Sequence, residues 1–200
     1  MYYVIFVGSG QEIRTETFIH KYIPKDLYTV CFHPTRQMKK KIHGEWVEIN
    51  EKLIPGYVFV ETDSIQAFYI ALRQRPAFQR LLGKETVTIN ENGEESLEER
   101  FYPLKPEEEK WLRNITVLPL KRRKSQIIEK PVTELTKVTF GVDGNLKILS
   151  GPLTEMTGSI RKIDIHRRFA EVEVEFMGRM TVLHLGIELV NNSKEEFPNE

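Results

Sequence analysis

The stretch Leu53-Ile54-Pro55-Gly56-Tyr57-Val58-Phe59-Val60-Glu61 constrains this chain more than any other. Tyr57 to Glu61 is β-branched and aromatic, the composition of a pleated, packed strand. Proline fixes one φ and the glycine after it frees the next, so the strand starts from a defined bend. Side chains alternate along a strand, which puts Tyr57 and Phe59 on one face and Val58 and Val60 on the other. Both faces are apolar. Either the strand is central and buried on both sides, or one face meets its own core and the other is open to a partner.

A second apolar strand is predicted at Tyr2 to Val7, with Tyr2, Val4 and Phe6 on one face and Tyr3, Ile5 and Val7 on the other. Gly8-Ser9-Gly10 breaks it. Ser9 and Glu12 have capping-box spacing, so a helix starts there. Its apolar side is Phe18, Ile19, Tyr22 and Ile23, and Pro24 ends it. Tyr28 to Phe32 reads as a strand, and Met38 to Val47 as a hairpin arm with Gly44 near its turn. Asp63 or Ser64 can cap a second helix, whose stripe is Ile65, Phe68, Tyr69 and Leu72, stopped by Pro76. Phe78 to Leu82 stays apolar, and Thr86 to Ile89 suits a short strand. Residues 85 to 109 hold nine acids against two bases, which marks a solvated loop. Pro106 before Glu107, Glu108 and Glu109 is a helix start, with Trp111, Leu112 and Ile115 as its buried side.

From Leu118 the texture changes. Lys121-Arg122-Arg123-Lys124 is basic and Lys130-Pro131 punctuates a polar stretch, the pattern of an inter-domain linker. Beyond it, Asp143-Gly144 signals a hairpin, Ser150-Gly151-Pro152 a turn, and Phe169 to Phe176 alternates with Val172, Val174 and Phe176 on one face. Short strands at this spacing predict a small β-barrel. The fold class is α+β: an N-terminal antiparallel sheet flanked by helices over 1–118, a linker at 119–138, a barrel at 139–191 and a polar tail at 192–200.

The 200 residues carry zero net charge, so no global field draws the chain to nucleic acid or membrane. No apolar run is long enough for a bilayer span, and Met1 to Gly8 lacks the basic start of a signal peptide. The single Cys31 cannot form an internal disulfide, which favours a reducing compartment; a cytoplasmic protein is expected. Enzyme chemistry finds no support. The five histidines have no metal-ligand spacing with Cys31, no phosphate-binding glycine loop precedes a Lys-Ser or Lys-Thr, and Ser9 sits in no nucleophile elbow. Neither metal nor cofactor is expected.

Three segments in order resemble the NusG family of transcription elongation factors: Tyr2-Tyr3-Val4-Ile5 with Gly8-Ser9-Gly10; Leu53 to Val60; and Leu149-Ser150-Gly151-Pro152-Leu153 through Gly158-Ser159-Ile160, with Phe176-Met177-Gly178-Arg179. The resemblance implies an NGN-like first domain, a linker and an SH3-like KOW barrel. Tyr2 stands where many members have Trp, and Leu53 and Ile54 where they have two phenylalanines. The linker is longer and more basic than in housekeeping members. These departures point to a specialised paralog resembling the LoaP type, an antiterminator of long operons that also recognises an RNA hairpin.

By this resemblance the first domain grips the clamp helices of RNA polymerase through Tyr2, Phe6, Ile54, Tyr57 and Phe59; the alternative is that all five are core. Aromatic anchors are the expected chemistry for holding a helical partner. A gate-loop contact is not supported, because Gln66-Ala67-Phe68 lacks the hydroxyl-rich triplet of some paralogs. Candidates for RNA phosphates are Lys39, Lys40 and Lys41, then Arg73, Arg75 and Arg80, and Lys121, Arg122, Arg123 and Lys124, with His43 and Trp46 placed to stack on bases. For a bare lysine run a solvated face is the favoured explanation. In the barrel, Met156, Ile165, Phe169 and Met177 are candidates for docking Rho or a ribosomal protein, or are barrel plugs. A monomer is expected. The other function class considered is a ribosome-associated KOW RNA-binding protein without polymerase contact.

Overall fold

The computed structural model describes residues 1–74, 85–89, 95–99, 103–116 and 131–190, with 85–89 and 95–99 described as backbone. Pro76, Phe78 to Leu82 and the basic run at Lys121 lie outside them. Contacts divide the chain into two compact units, Met1–His33 with Ile54–Glu109, and Pro34–Leu53 with Lys110–Glu200. Among the described residues no helix is long and apolar enough to cross a membrane.

In the first unit, strands β1 (Tyr2–Phe6), β5 (Tyr57–Glu61) and β2 (Val30–Phe32) form an antiparallel sheet in the order β1-β5-β2. The motif strand is therefore central. Helices α1 (Glu12–Tyr22) and α2 (Ile65–Arg73) bury one face of it. That core holds Ile5, Val7, Val58, Val60 and Cys31 from the sheet side, Ile19 and Ile23 from the first helical segment, and Phe68 and Leu72 from α2. The periodicities of 2 and 3.6 thus select these residues as foreseen. Tyr28 lies outside a strand, because Lys25–Leu27 forms a 3-10 turn and β2 begins only at Val30.

Both helix starts differ from expectation in the same way. Neither Ser9 nor Ser64 caps by its side chain. The Thr62 hydroxyl accepts the Ser64 N–H at 2.9 Å, and the Glu12 carboxylate accepts backbone N–H groups ahead of α1. The start of α3 (Pro106–Ile115) follows the expected pattern: Glu108 accepts the Lys105 N–H at 2.8 Å, and Leu112 and Ile115 are buried. β6 (Glu85–Ile89) and β7 (Glu95–Glu99) pair as an antiparallel hairpin, where only the first strand was foreseen within a solvated loop.

In the second unit, β9 (Thr136–Phe140), β10 (Leu146–Ser150), β11 (Ile160–Asp164), β12 (Phe169–Phe176) and β13 (Arg179–Leu189) make a curled sheet in the order β10-β9-β13-β12-β11. β9 begins inside the stretch read as linker, with Thr136 and Val138 buried. Ala170, Val172, Val174 and Phe176 point inward with Leu183, Leu185 and Ile187. β12 and β13 run in continuous register around Met177-Gly178, both at positive φ, the conformation of a type I′ turn. β13 is one unbroken strand through Gly186. β3 (Thr35–Ile42) and β4 (Glu45–Lys52) form a hairpin longer than expected, turning at His43-Gly44 with both φ positive. β8 (Val132–Thr133) pairs parallel to β3. Gly186 of β13 lies so near this hairpin that a Cβ would sit 2.3 Å from the Gln37 carbonyl oxygen.

Candidate functional sites

The structure separates the five expected clamp residues. Phe59 is fully buried, its ring stacked on Phe32 at 5.6 Å with an interplanar angle of 8°. Tyr2 is buried edge-on to Phe32, and Ile54 is buried as well. These three correct the expectation of direct contact: in this fold their side chains present almost no surface. Phe59 lies at the centre of the sheet, opposite Val4 on one side and Phe32 on the other, and its ring packs in a buried cluster with Phe32 and Tyr2. Phe6 and Tyr57, opposite each other in the β1–β5 register at the end of the ladder, remain accessible. Phe6 is 61% exposed, Tyr57 is half-buried, and their rings meet at 5.3 Å in a tilted pair.

That pair stands on two glycine bends joined by hydrogen bonds. The Val7 N–H donates to the Gly56 carbonyl at 2.8 Å. The Glu12 carboxylate accepts the Gly56 N–H at 2.7 Å with one oxygen and the Gly10 N–H at 2.9 Å with the other. Gly56 has φ +90°, and a Cβ there would lie 3.3 Å from a carbon of the Phe6 ring. Only glycine combines that φ with that approach. The Gly8-Ser9-Gly10 and Pro55-Gly56-Tyr57 motifs are thus two halves of one frame.

The other polar cluster of this unit is buried. His33 Nδ1 is paired with Glu16, and His20 lies 3.7 Å from the same carboxylate. His20 also meets the Tyr28 hydroxyl at 3.0 Å. Burial, with a smaller contribution from Cys31, pushes the Tyr28 phenol up to about 12. Burial and then the Glu16 charge raise the Cys31 thiol far above its ordinary range, so Cys31 is an unreactive core residue.

The lysine run lies on β3, where β4 answers it with acids. Lys39 Nζ is 3.1 Å from Glu188 of β13 and 3.8 Å from Glu48. Lys40 is 2.8 Å from Glu51, whose carboxyl is held below its ordinary range by the Lys40 hydrogen bond despite partial burial. Arg36 bonds Glu51 at 3.2 Å and the His184 carbonyl at 2.8 Å. Lys41 and His43 are exposed at the hairpin tip, and Lys41 makes no ion pair with a described residue. Trp46, opposite Lys41, is 39% exposed and carries the Arg168 guanidinium 5.2 Å over its ring. Arg73 is exposed at the end of α2, over the Tyr69 ring. Arg75, Arg80, Lys121, Arg122, Arg123 and Lys124 lie outside the described residues.

Of the barrel candidates, Met156 is buried, which corrects its reading as exposed: it sits in the 3-10 segment Pro152–Ser159 that plugs the sheet. Ile165 and Phe169 are half-buried, Phe169 against His184 at 4.9 Å. Met177 is 38% exposed because it occupies the type I′ turn. Among the described residues, no cluster of three His, Cys, Asp or Glu side chains could hold a metal.

Residues 1–108 match the family model described as transcription termination factor nusG. The chain is 23% identical to the transcription termination/antitermination protein NusG of Halalkalibacterium halodurans over 188 residues, covering 92% of this chain and 93% of that one. It is 22% identical to the protein of that name from Escherichia coli K12, covering 96% of each. For the protein of that name from Thermus thermophilus the identity is 24%, covering 92% of this chain and 94% of the relative. A solved Thermotoga maritima NusG structure, described as showing a domain interaction, has 22% identity, a TM-score of 0.46 and 92% coverage of both chains. This chain belongs to the NusG family of transcription termination/antitermination factors, which bind RNA polymerase and are not enzymes.

Proposed function

We propose that this protein docks on the clamp helices of RNA polymerase through the Phe6–Tyr57 edge and promotes processive antitermination at particular operons, in the manner of a LoaP-type paralog. The observation that carries the reading is the aromatic pair on its glycine frame, Phe6 exposed and Tyr57 half-buried, in a family whose members bind polymerase. A large ring held proud of the surface by a fixed backbone binds with little entropy loss. Tyr2, Ile54 and Phe59 belong to the buried part of the same unit and are not part of the contact. Nascent RNA meets the tip of the β3–β4 hairpin, where Lys41 supplies charge and His43 and Trp46 supply rings. Ile165, Phe169 and Met177 form the docking edge of the barrel, for Rho or a ribosomal protein. The protein acts as a cytoplasmic monomer.

The test is retention on immobilised core RNA polymerase. Wild type is retained and the double variant Phe6→Ala, Tyr57→Ala is not. Equal retention of the two rejects the edge as the polymerase contact.

A further inference from the structure

We propose that Glu12 is a positioning residue for polymerase binding: its buried carboxylate sets the orientation of the Phe6–Tyr57 pair without touching the partner. The inference rests on the reading that this pair faces the polymerase.

Glu12 is fully buried although it is an ionisable side chain at the start of a helix. Such groups are buried only when hydrogen-bonded or paired. Here the carboxylate spans 44 positions of sequence to reach Gly56 and reaches back to Gly10. Its charge sits at the positive end of α1, where it is favoured. The two amides it holds belong to the Gly8-Ser9-Gly10 bend, which follows Phe6 after Val7, and to the Pro55-Gly56 bend, which immediately precedes Tyr57. The Gly56 peptide is clamped twice, its N–H by Glu12 and its carbonyl by Val7. Both bends run through glycines at positive φ, the positions of greatest backbone freedom. Without a fixed acceptor that freedom passes to the rings on either side. A carboxylate suits the task because it accepts at both oxygens, whereas an amide at the same position accepts with one and presents a donor to the other N–H.

The residue's chemistry therefore predicts a separation between fold and binding. Glu12→Gln keeps size and burial but leaves one N–H facing another donor. Full-length Glu12→Gln, Glu12→Asp and Phe6→Ala are compared with wild type for core polymerase affinity, together with Glu12→Gln in the Phe6→Ala background. Circular dichroism checks that each is folded. The expected result is that folded Glu12→Gln binds roughly tenfold more weakly, the worth of one charge-assisted hydrogen bond. In the Phe6→Ala background the same change costs little more, because the ring through which Glu12 acts is gone. A purely structural role would lower the unfolding temperature and leave the affinity of folded protein unchanged, and would act equally in both backgrounds. Either result overturns the assignment. If Glu12→Gln does not fold, Glu12→Asp, which keeps the charge on a shorter arm, takes its place with the same criteria. Failure of both to fold makes Glu12 a core residue only and also overturns it. Phe6→Ala binding like wild type would instead reject the underlying contact, a distinct outcome.

Discussion

Truncating the aromatics one at a time separates support from contact. Phe59 is fully buried and stacked on Phe32, so Phe59→Ala leaves a ring-sized void at the sheet centre. Such truncations cost about 3–5 kcal/mol. For a chain of this length each kcal/mol moves the midpoint by about 2–4 °C, so the expected loss is roughly 6–20 °C. Phe6 is 61% exposed, so about two fifths of its burial is at stake. Full burial of a phenylalanine contributes about 1.5–3 kcal/mol, which puts Phe6→Ala at about 0.6–1.2 kcal/mol and within about 5 °C of wild type. The ranking reverses for binding. Removing a hot-spot ring costs at least about 2 kcal/mol, or about thirtyfold in affinity for polymerase, whereas Phe59→Ala kept well below its midpoint binds far closer to wild type. Differential scanning calorimetry gives the first axis and titration against core polymerase the second. If Phe6→Ala is as destabilising as Phe59→Ala, or if it binds normally, the division of the rings into an outer pair and an inner stack is wrong.

Glu188→Gln removes the carboxylate 3.1 Å from Lys39 and frees that ammonium for phosphate. The pair is partly exposed and worth at most about 1 kcal/mol, so RNA stem-loop affinity rises by up to about fivefold at low salt, measured by fluorescence anisotropy; unchanged or weaker binding rules Lys39 out as a phosphate contact. Alkaline stability carries a second signature. Tyr28 and Cys31 both have folded pKa values raised above their unfolded ones. Their contribution is therefore complete below the unfolded values and declines as pH rises past them, for Tyr28 between about 10 and 12. Denaturant midpoints fall across that window in wild type, and Tyr28→Phe flattens the fall; an equal fall in both disproves the assignment. Thiol reagent labels Cys31 only on unfolding.

Much of the fold is legible in the sequence because it rests on periodicity. The α2 stripe and the inward row of β12 follow from spacing, and the Pro106 helix start from proline and acids in a first turn. Periodicity cannot rank two apolar faces of one strand. It puts Phe59 and Tyr57 together, and only the pairing of β5 between β1 and β2 buries the first and leaves the second near the ladder's end. Glu12 shows the same limit. Its spacing from Ser9 signals a local cap, whereas the acceptor is spent on an amide that is distant in sequence.

The hairpin shows the opposite case, a signal that was available and passed over. Once His43-Gly44 is placed at the turn, the register follows, and Lys39 falls opposite Glu48 and Arg36 opposite Glu51. Cross-strand neighbours of opposite charge attract. The run that looks basic along the chain is nearly balanced across the ladder, with five bases and three acids over Thr35–Ile42 and Glu45–Lys52. Glu188 then adds a fourth acid that no local pattern announces. A phosphate approaching Lys39 or Lys40 must displace a carboxylate first, while one approaching Lys41 need not. Two further donors of this region, Arg36 Nε and Arg168 Nη1, are buried without a hydrogen-bond partner among the described residues. The hairpin and β13 meet both by polar links, Lys39 to Glu188 and Arg36 to the His184 carbonyl, and by a close backbone approach at Gly186. The cross-strand partners leave the hairpin tip, rather than the run as a whole, as the place for the proposed RNA contact.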